Sequence, residues 1–305
     1  MKKYILPPVL LASLALAAHG QILTTYSDSF TGVIDERTVD GSGQVNSFAW
    51  YSRNNGHFQY DDGLLVGDND RAGIGYFSDW ASAPALTQIG DSISLSVDFQ
   101  FRQFANDNGN DRLRIALLGS NGTPVTANWG SSHSVANGDT HTGFVTTLGP
   151  IRSTSGNISS ANNIRLYGRV DEPSSMLIMG DNNALPSAFP FIATGGNIYS
   201  VPALDSSDTM NLTILIELTG FTVDAALVSV GVVYSHGSEV LSSMTQSDIE
   251  TTTTQFDSIA LYTRNPSVKF EEMALTHTVI PEPSTYAALF GLLALAFVWV
   301  RSRRK

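Results

Sequence analysis

The sequence predicts an all-β protein, a two-sheet antiparallel sandwich. Apolar and polar residues alternate with a period of two through long stretches of the middle, and Gly/Asn turn signals separate those stretches. Between the two ends no long segment carries a 3.6-residue period. Successive side chains of a strand point to opposite faces, so this alternation builds sheets with one dry and one wet face. Two such sheets bury their dry faces against each other.

Residues 1–20 read as a secretory signal helix. Lys2 and Lys3 form a positive start, and Ile5 to Ala18 is apolar although interrupted by Pro7 and Pro8. Ala18-His19-Gly20 sets small residues for cleavage before Gln21, with signal peptidase as the implied processing partner. A buried N-terminal helix is the other reading, but two prolines and the lack of an amphipathic period count against it.

Residues 21–279 form one predicted β-sandwich domain, since no Pro-rich linker or shift in composition divides them. In Asp91–Arg102 the set Ile93, Leu95, Val97, Phe99 and Phe101 alternates with polar residues, giving a half-buried strand. Arg112–Leu117 repeats the pattern with Leu113, Ile115 and Leu117 inward, and Asn106–Asp111 between them reads as a hairpin loop. Further strands are predicted at Asn163–Val170, Ser175–Met179, Asn211–Thr219, Ala226–Tyr234, Phe256–Arg264 and Ser267–Thr276. Ser200–Asp208 and Met244–Gln255 are predicted to be long surface loops.

Composition narrows the function. Charged residues make up only 15%, and setting aside both ends leaves 11 basic and 27 acidic side chains, a net charge of −16. So acidic a body disfavours binding to nucleic acid phosphates. With no cysteine in the chain, disulfides, thiolate nucleophiles and Cys-ligated zinc are excluded.

A search for catalytic carboxylates finds no Glu-x-Asp-x-Glu triplet, the spacing that would put paired acids on one face of a strand. Glu217 is expected on a wet face, and the adjacent Glu271 and Glu272 on opposite sides of theirs. The chain is therefore expected not to be an enzyme, with a carbohydrate-active hydrolase as the alternative. His133 and His141 could face each other across a turn, yet without a nearby acid they read better as surface residues. Asp107, Asn108, Asn110 and Asp111 gather hard oxygen ligands that suit calcium, as Asp68-Asn69-Asp70 does elsewhere. The same residues also favour plain turns, which is the preferred reading. The aromatics Trp50, Tyr51, Phe58, Tyr60, Tyr76, Phe77 and Trp80 are either a sugar-stacking platform or core, the latter preferred. Trp129 is expected to be exposed.

The C-terminal segment 280–305 is the most specific part of the chain. Pro281-Glu282-Pro283 precedes an uncharged run at 286–300, and the basic tail 301–305 supplies Arg301, Arg303, Arg304 and Lys305. As a helix the run is about 22 Å long, near the lower limit for crossing a bilayer once flanking residues are counted. The basic end should stay cytoplasmic and the rest outside.

This order of motif, short transmembrane helix and basic end resembles the PEP-CTERM sorting domain. The resemblance implies that an exosortase acts near Pro281-Glu282-Pro283 and frees the protein from the membrane for the cell surface or the extracellular space. It also implies a non-catalytic structural or exopolysaccharide-associated role. An ordinary tail anchor is the other reading. In the body, Tyr26–Phe30, Phe256–Leu261 and Phe270–Leu275 resemble the first and last strands of a concanavalin-like (LamG-type) jelly roll, which implies that the terminal strands lie near each other. A calcium-dependent carbohydrate-binding module is the alternative function.

Overall fold

The computed structural model describes residues 21–30, 48–52, 58–60, 64–66, 71–77, 83–103, 111–125, 138–154, 157–159, 162–170, 189–198, 208–264 and 267–280, together with positions 291, 293, 295, 296 and 299. The described strands, in chain order, are β1 (Ile22–Asp28), β2 (Phe48–Ser52), β3 (Phe58–Tyr60), β4 (Leu64–Val66), β5 (Arg71–Phe77), β6 (Ser92–Gln103), β7 (Asp111–Gly119) and β8 (Thr142–Thr154). They continue with β9 (Asn157–Ser159), β10 (Asn162–Arg169), β11 (Phe191–Ile198), β12 (Thr209–Phe221), β13 (Ala226–His236), β14 (Glu239–Thr251), β15 (Ser258–Arg264) and β16 (Ser267–Val279).

These strands make two antiparallel sheets. The first runs β14-β13-β12-β6-β16-β4-β3, with β1 pairing the last part of β16. The second runs β11-β10-β8-β7-β15-β5-β2, with β9 folding back on β8. One apolar core lies between them. Ile93, Leu95, Val97 and Phe99 of β6 and Ile214 and Ile216 of β12 meet Ile115 and Leu117 of β7 and Ile259 and Leu261 of β15. The predicted alternation of β6 is thus the alternation of core and outer face. The pairing of Ile22 with Val279 through Asp28 with Met273 puts the first and last strands side by side, as the jelly-roll resemblance implies.

Several expectations are corrected. The stretch Asn106–Asp111 does not close a hairpin, because β6 pairs with β12 and β16 while β7 pairs with β8 and β15. The chain crosses between sheets there, and alternation alone cannot say which sheet a strand joins. Most of Met244–Gln255 is not a loop but the second half of β14, an edge strand that buries few side chains and so shows little alternation. Arg114, placed by its spacing on a wet face, is 1% exposed, its guanidinium carbon 4.8 Å from the centre of the Tyr262 ring. Strands β2, β3, β4, β5, β8, β9 and β11 are not among those the sequence predicts. Ser175–Met179, and Ser200–Asp208 apart from Asp208, lie outside the described residues.

Three buried aspartates fasten the strand ends. Asp28 accepts the Phe30 N–H and the Trp50 indole N–H at 2.8 and 3.1 Å, joining the end of β1 to β2 of the other sheet. Asp257 accepts the Ser120 N–H and hydroxyl at 2.9 and 2.6 Å, joining the end of β7 to the start of β15. Asp91 collects four donors: the Thr87 N–H and hydroxyl, the Gln88 N–H, and the N–H of Ile280 just past the end of β16. Burial raises the carboxyls of Asp28 and Asp257, and their hydrogen bonds only partly oppose it. At Asp91 burial also pushes upward, but its four donors outweigh it and hold the carboxyl below its ordinary range.

Candidate functional site

The aromatic cluster is largely core. Trp50 and Tyr76 are buried, Trp50 tilted against Phe30 at 5.8 Å and Tyr76 edge-on to Tyr51 at 6.0 Å. The side chains of Phe58, Tyr60 and Phe77, and the whole of Trp80 and Trp129, lie outside the described residues. His141 is buried, not at the surface, with Nε2 2.6 Å from the Tyr76 hydroxyl. That hydroxyl also accepts the Val125 N–H at 3.0 Å. His133 lies outside the described residues.

Glu217 is exposed, as expected for a wet face. Glu271 and Glu272 depart from simple alternation, because a bulge between Phe270 and Glu272 lets Phe270 and Met273 both reach the core. Both glutamates then stand outside the core. Glu271 accepts the Gln100 amide at 2.7 Å and the Thr209 hydroxyl at 2.8 Å, and Lys269 Nζ stands 3.8 Å away. This is a polar patch on the outer face whose carboxylate is engaged by its neighbours.

Of the calcium candidates, Asp107, Asn108 and Asn110 lie outside the described residues, and Asp111 opens β7. No group of three His, Asp or Glu among the described residues is placed to hold a metal ion. Pro281, Glu282, Pro283, Arg301, Arg303, Arg304 and Lys305 also lie outside them. Leu293, Leu295 and Trp299 are helical and exposed, and no described helix is long and apolar enough to cross a membrane.

A concave site that the sequence did not point to opens at one end of the sandwich, where the two sheets part. It encloses about 400 Å³. Its floor is apolar: Phe144 of β8, Val170 beyond β10, Pro190, and Ile192 of β11. Its rim is polar, with Asp224 in the β12–β13 turn, and Glu250 and Thr251 of β14 followed by Thr252 and Thr253. Each wall has a local cause. The Thr222 N–H bonds to Ala225 O at 2.8 Å, closing the tight turn that projects Asp224. Gly143 holds φ +141° where a Cβ would sit 2.4 Å from Leu117 O, so only glycine lets β8 start so close to β7. The Thr253 hydroxyl bonds to that of Thr142 at 2.6 Å, tying the segment after β14 across to the opposite sheet. Arg169 lies under the rim with its guanidinium carbon 5.0 Å from the centre of the Phe189 ring and Nη1 donating to Val170 O.

No protein-family model matches the chain, and no curated protein matches it. Similar solved structures include the exoplasmic/lumenal domain of VIP36 in a Ca2+-bound form, at 9% identity and TM-score 0.46 over 85% of this chain and 92% of that one. The carbohydrate recognition domain of Emp46p follows at 13% identity and TM-score 0.45, over 82% of this chain and 95% of that one. Lectin I from Ulex europaeus, in complex with the methyl glycoside of α-L-fucose, gives 9% identity and TM-score 0.41 over 84% and 98%. Likeness at this level assigns no ligand to this chain.

Proposed function

We propose that the chain is an exported, non-catalytic glycan-associated protein, brought to the cell surface by its C-terminal sorting segment. The observation that carries this reading is the cleft between the sheets. Its volume of about 400 Å³ lies within the range of small-molecule sites. Its chemistry suits a sugar: an apolar floor takes the C–H face of a pyranose ring, while carboxylates and threonine hydroxyls pair with ring hydroxyls. Exposed carboxylates beside an apolar floor bind without needing to perform acid–base chemistry. An exopolysaccharide chain entering the open end of the sandwich is the partner that fits.

The test is a glycan array probed with residues 21–280, followed by calorimetry on the best hit in calcium and in chelator. Asp224→Ala combined with Glu250→Ala is expected to weaken binding at least tenfold while leaving the melting temperature within a few degrees. No hit on the array, or a hit unmoved by that double substitution, would sink the cleft reading. Loss of binding in chelator would favour the calcium-dependent variant. For the sorting segment, replacing Pro281-Glu282-Pro283 with alanines is expected to retain the protein in the membrane fraction with its tail intact.

A further inference from the structure

We propose that the end of the sandwich carrying the β12–β13 turn rests on the surface of a zwitterionic phospholipid bilayer while the tail is inserted. The proposal rests on the reading of 286–300 as a membrane helix. Strand register shows which residues share this end. Leu23 pairs with Thr278, Thr278 with Ser92, and Ser92 with Glu217, so one row crosses β1, β16, β6 and β12. At or beyond this row stand Ile22, Leu23, Ile89, Phe221 and Val223, all exposed, and Val170 joins them across the cleft. Val223, at the tip of the turn, is 98% exposed.

Scattered exposed apolar residues need no explanation, but a concentration at one end of a molecule does. Elsewhere on the described sandwich the exposed large apolar side chains are Leu215 and Val240, while Phe191 lies beside the cleft between Pro190 and Ile192. From β1 to β13 is four strand spacings, so the apolar edge extends about 19 Å. The chain also leaves the fold at this end. Asp91 fixes the N–H of Ile280, and a Cβ at Gly90 would come within 3.2 Å of the Ile280 side chain, so the exit point is held on two sides. From Ile280 to Tyr286 the chain has six residues, at most about 20 Å of reach.

A tether this short, leaving from the apolar end, points that end at the bilayer. Charge narrows the partner further. Asp224 and Glu250 are exposed here, and no lysine or arginine among the described residues is exposed at this end. Anionic lipid would repel the acidic groups, so insertion of apolar tips into a neutral interface is the interaction that fits. The cleft opens on the same end, and its Asp224 rim then faces the lipid for as long as the tail holds.

The absence of native cysteine makes the test clean. Val223→Cys and, at the opposite hairpin, Val240→Cys are each labelled with an environment-sensitive fluorophore in the full chain, reconstituted in phosphatidylcholine nanodiscs. Val240 is itself 59% exposed, so it reports the far end under the same conditions. The Val223→Cys label is expected to shift to the blue and to be quenched by doxyl-lipids at least threefold more than the Val240→Cys label. Equal responses from a chain that co-migrates with the discs would overturn the orientation and leave the tail reading standing. A chain that does not stay with the discs would overturn both.

Discussion

The outward faces of the two sheets behave differently, although both sheets face the same core. On the first sheet the outward face is wet. Ser96, Asp98 and Asn211 bond with one another there, the Asn211 amide donating to Ser96 at 2.7 Å and to Asp98 at 2.6 Å, while Ser229 reaches Ser247 at 3.4 Å. On the second sheet the outward face is covered. Ala116, Leu118, Val145, Ala260 and Tyr262 form a second apolar cluster with Ile74 and Tyr76, roofed by Val125 and Phe189. The first sheet is therefore amphipathic and the second is apolar on both sides. Covering a face removes the need for polar residues on it, and with them goes the period that marks a strand in sequence.

Four substitutions and a titration would break or sharpen this contrast. Tyr262→Ala should have the largest effect: it empties the covered face and strips Arg114 of its aromatic partner, costing about 3–5 kcal/mol by denaturant unfolding. A loss under about 1 kcal/mol would mean that the outer layer is loosely attached. Asp91→Asn should cost about 1.5–3 kcal/mol, since an amide cannot accept all four donors that the carboxylate gathers.

Acidity comes next. Asp28 and Asp257 are raised in the fold, so their contribution is greatest below the ordinary aspartate value of about 3.9 and declines as pH rises through their folded values. Asp91 is lowered, so its contribution is present above that value and is lost as pH falls through its folded value. Melting temperature is expected to rise as pH is lowered through the folded values of Asp28 and Asp257 toward the ordinary aspartate value, and to drop once pH falls below that value toward the folded value of Asp91. Asp257→Asn should melt lower overall with a shallower rise, and a monotonic fall of the wild-type curve from pH 7 would contradict this assignment. The smallest effect is expected on the wet face, where Ser229→Ala should change stability by no more than about 0.5 kcal/mol.

The same contrast explains what was legible in the sequence. β6 and β12 could be read almost residue by residue, because Ser94, Ser96, Thr213 and Glu217 mark the wet side between core residues. β8 could not, because Thr146 and Thr147 are both buried and its polar residues do not mark solvent. β5 was hidden by Gly73 and Gly75, the second of which makes room for the Trp50 ring: a Cβ there would lie 2.8 Å from Trp50 Cε2. The cleft was not legible at all. Phe144, Pro190, Asp224 and Glu250 come from separate segments and acquire a common purpose only when the two sheets are stacked. The segment 280–305 is the opposite case: the motif, apolar run and basic tail that suggest a sorting signal are contiguous, so that expectation needs no fold.

The carboxylate of Asp91 closes the fold at Ile280, one residue before Pro281. The last strand thus ends on a hydrogen bond made inside the sandwich. If the segment beyond Ile280 is the sorting address its sequence suggests, it joins a strand end that the sandwich has already secured with its own side chain.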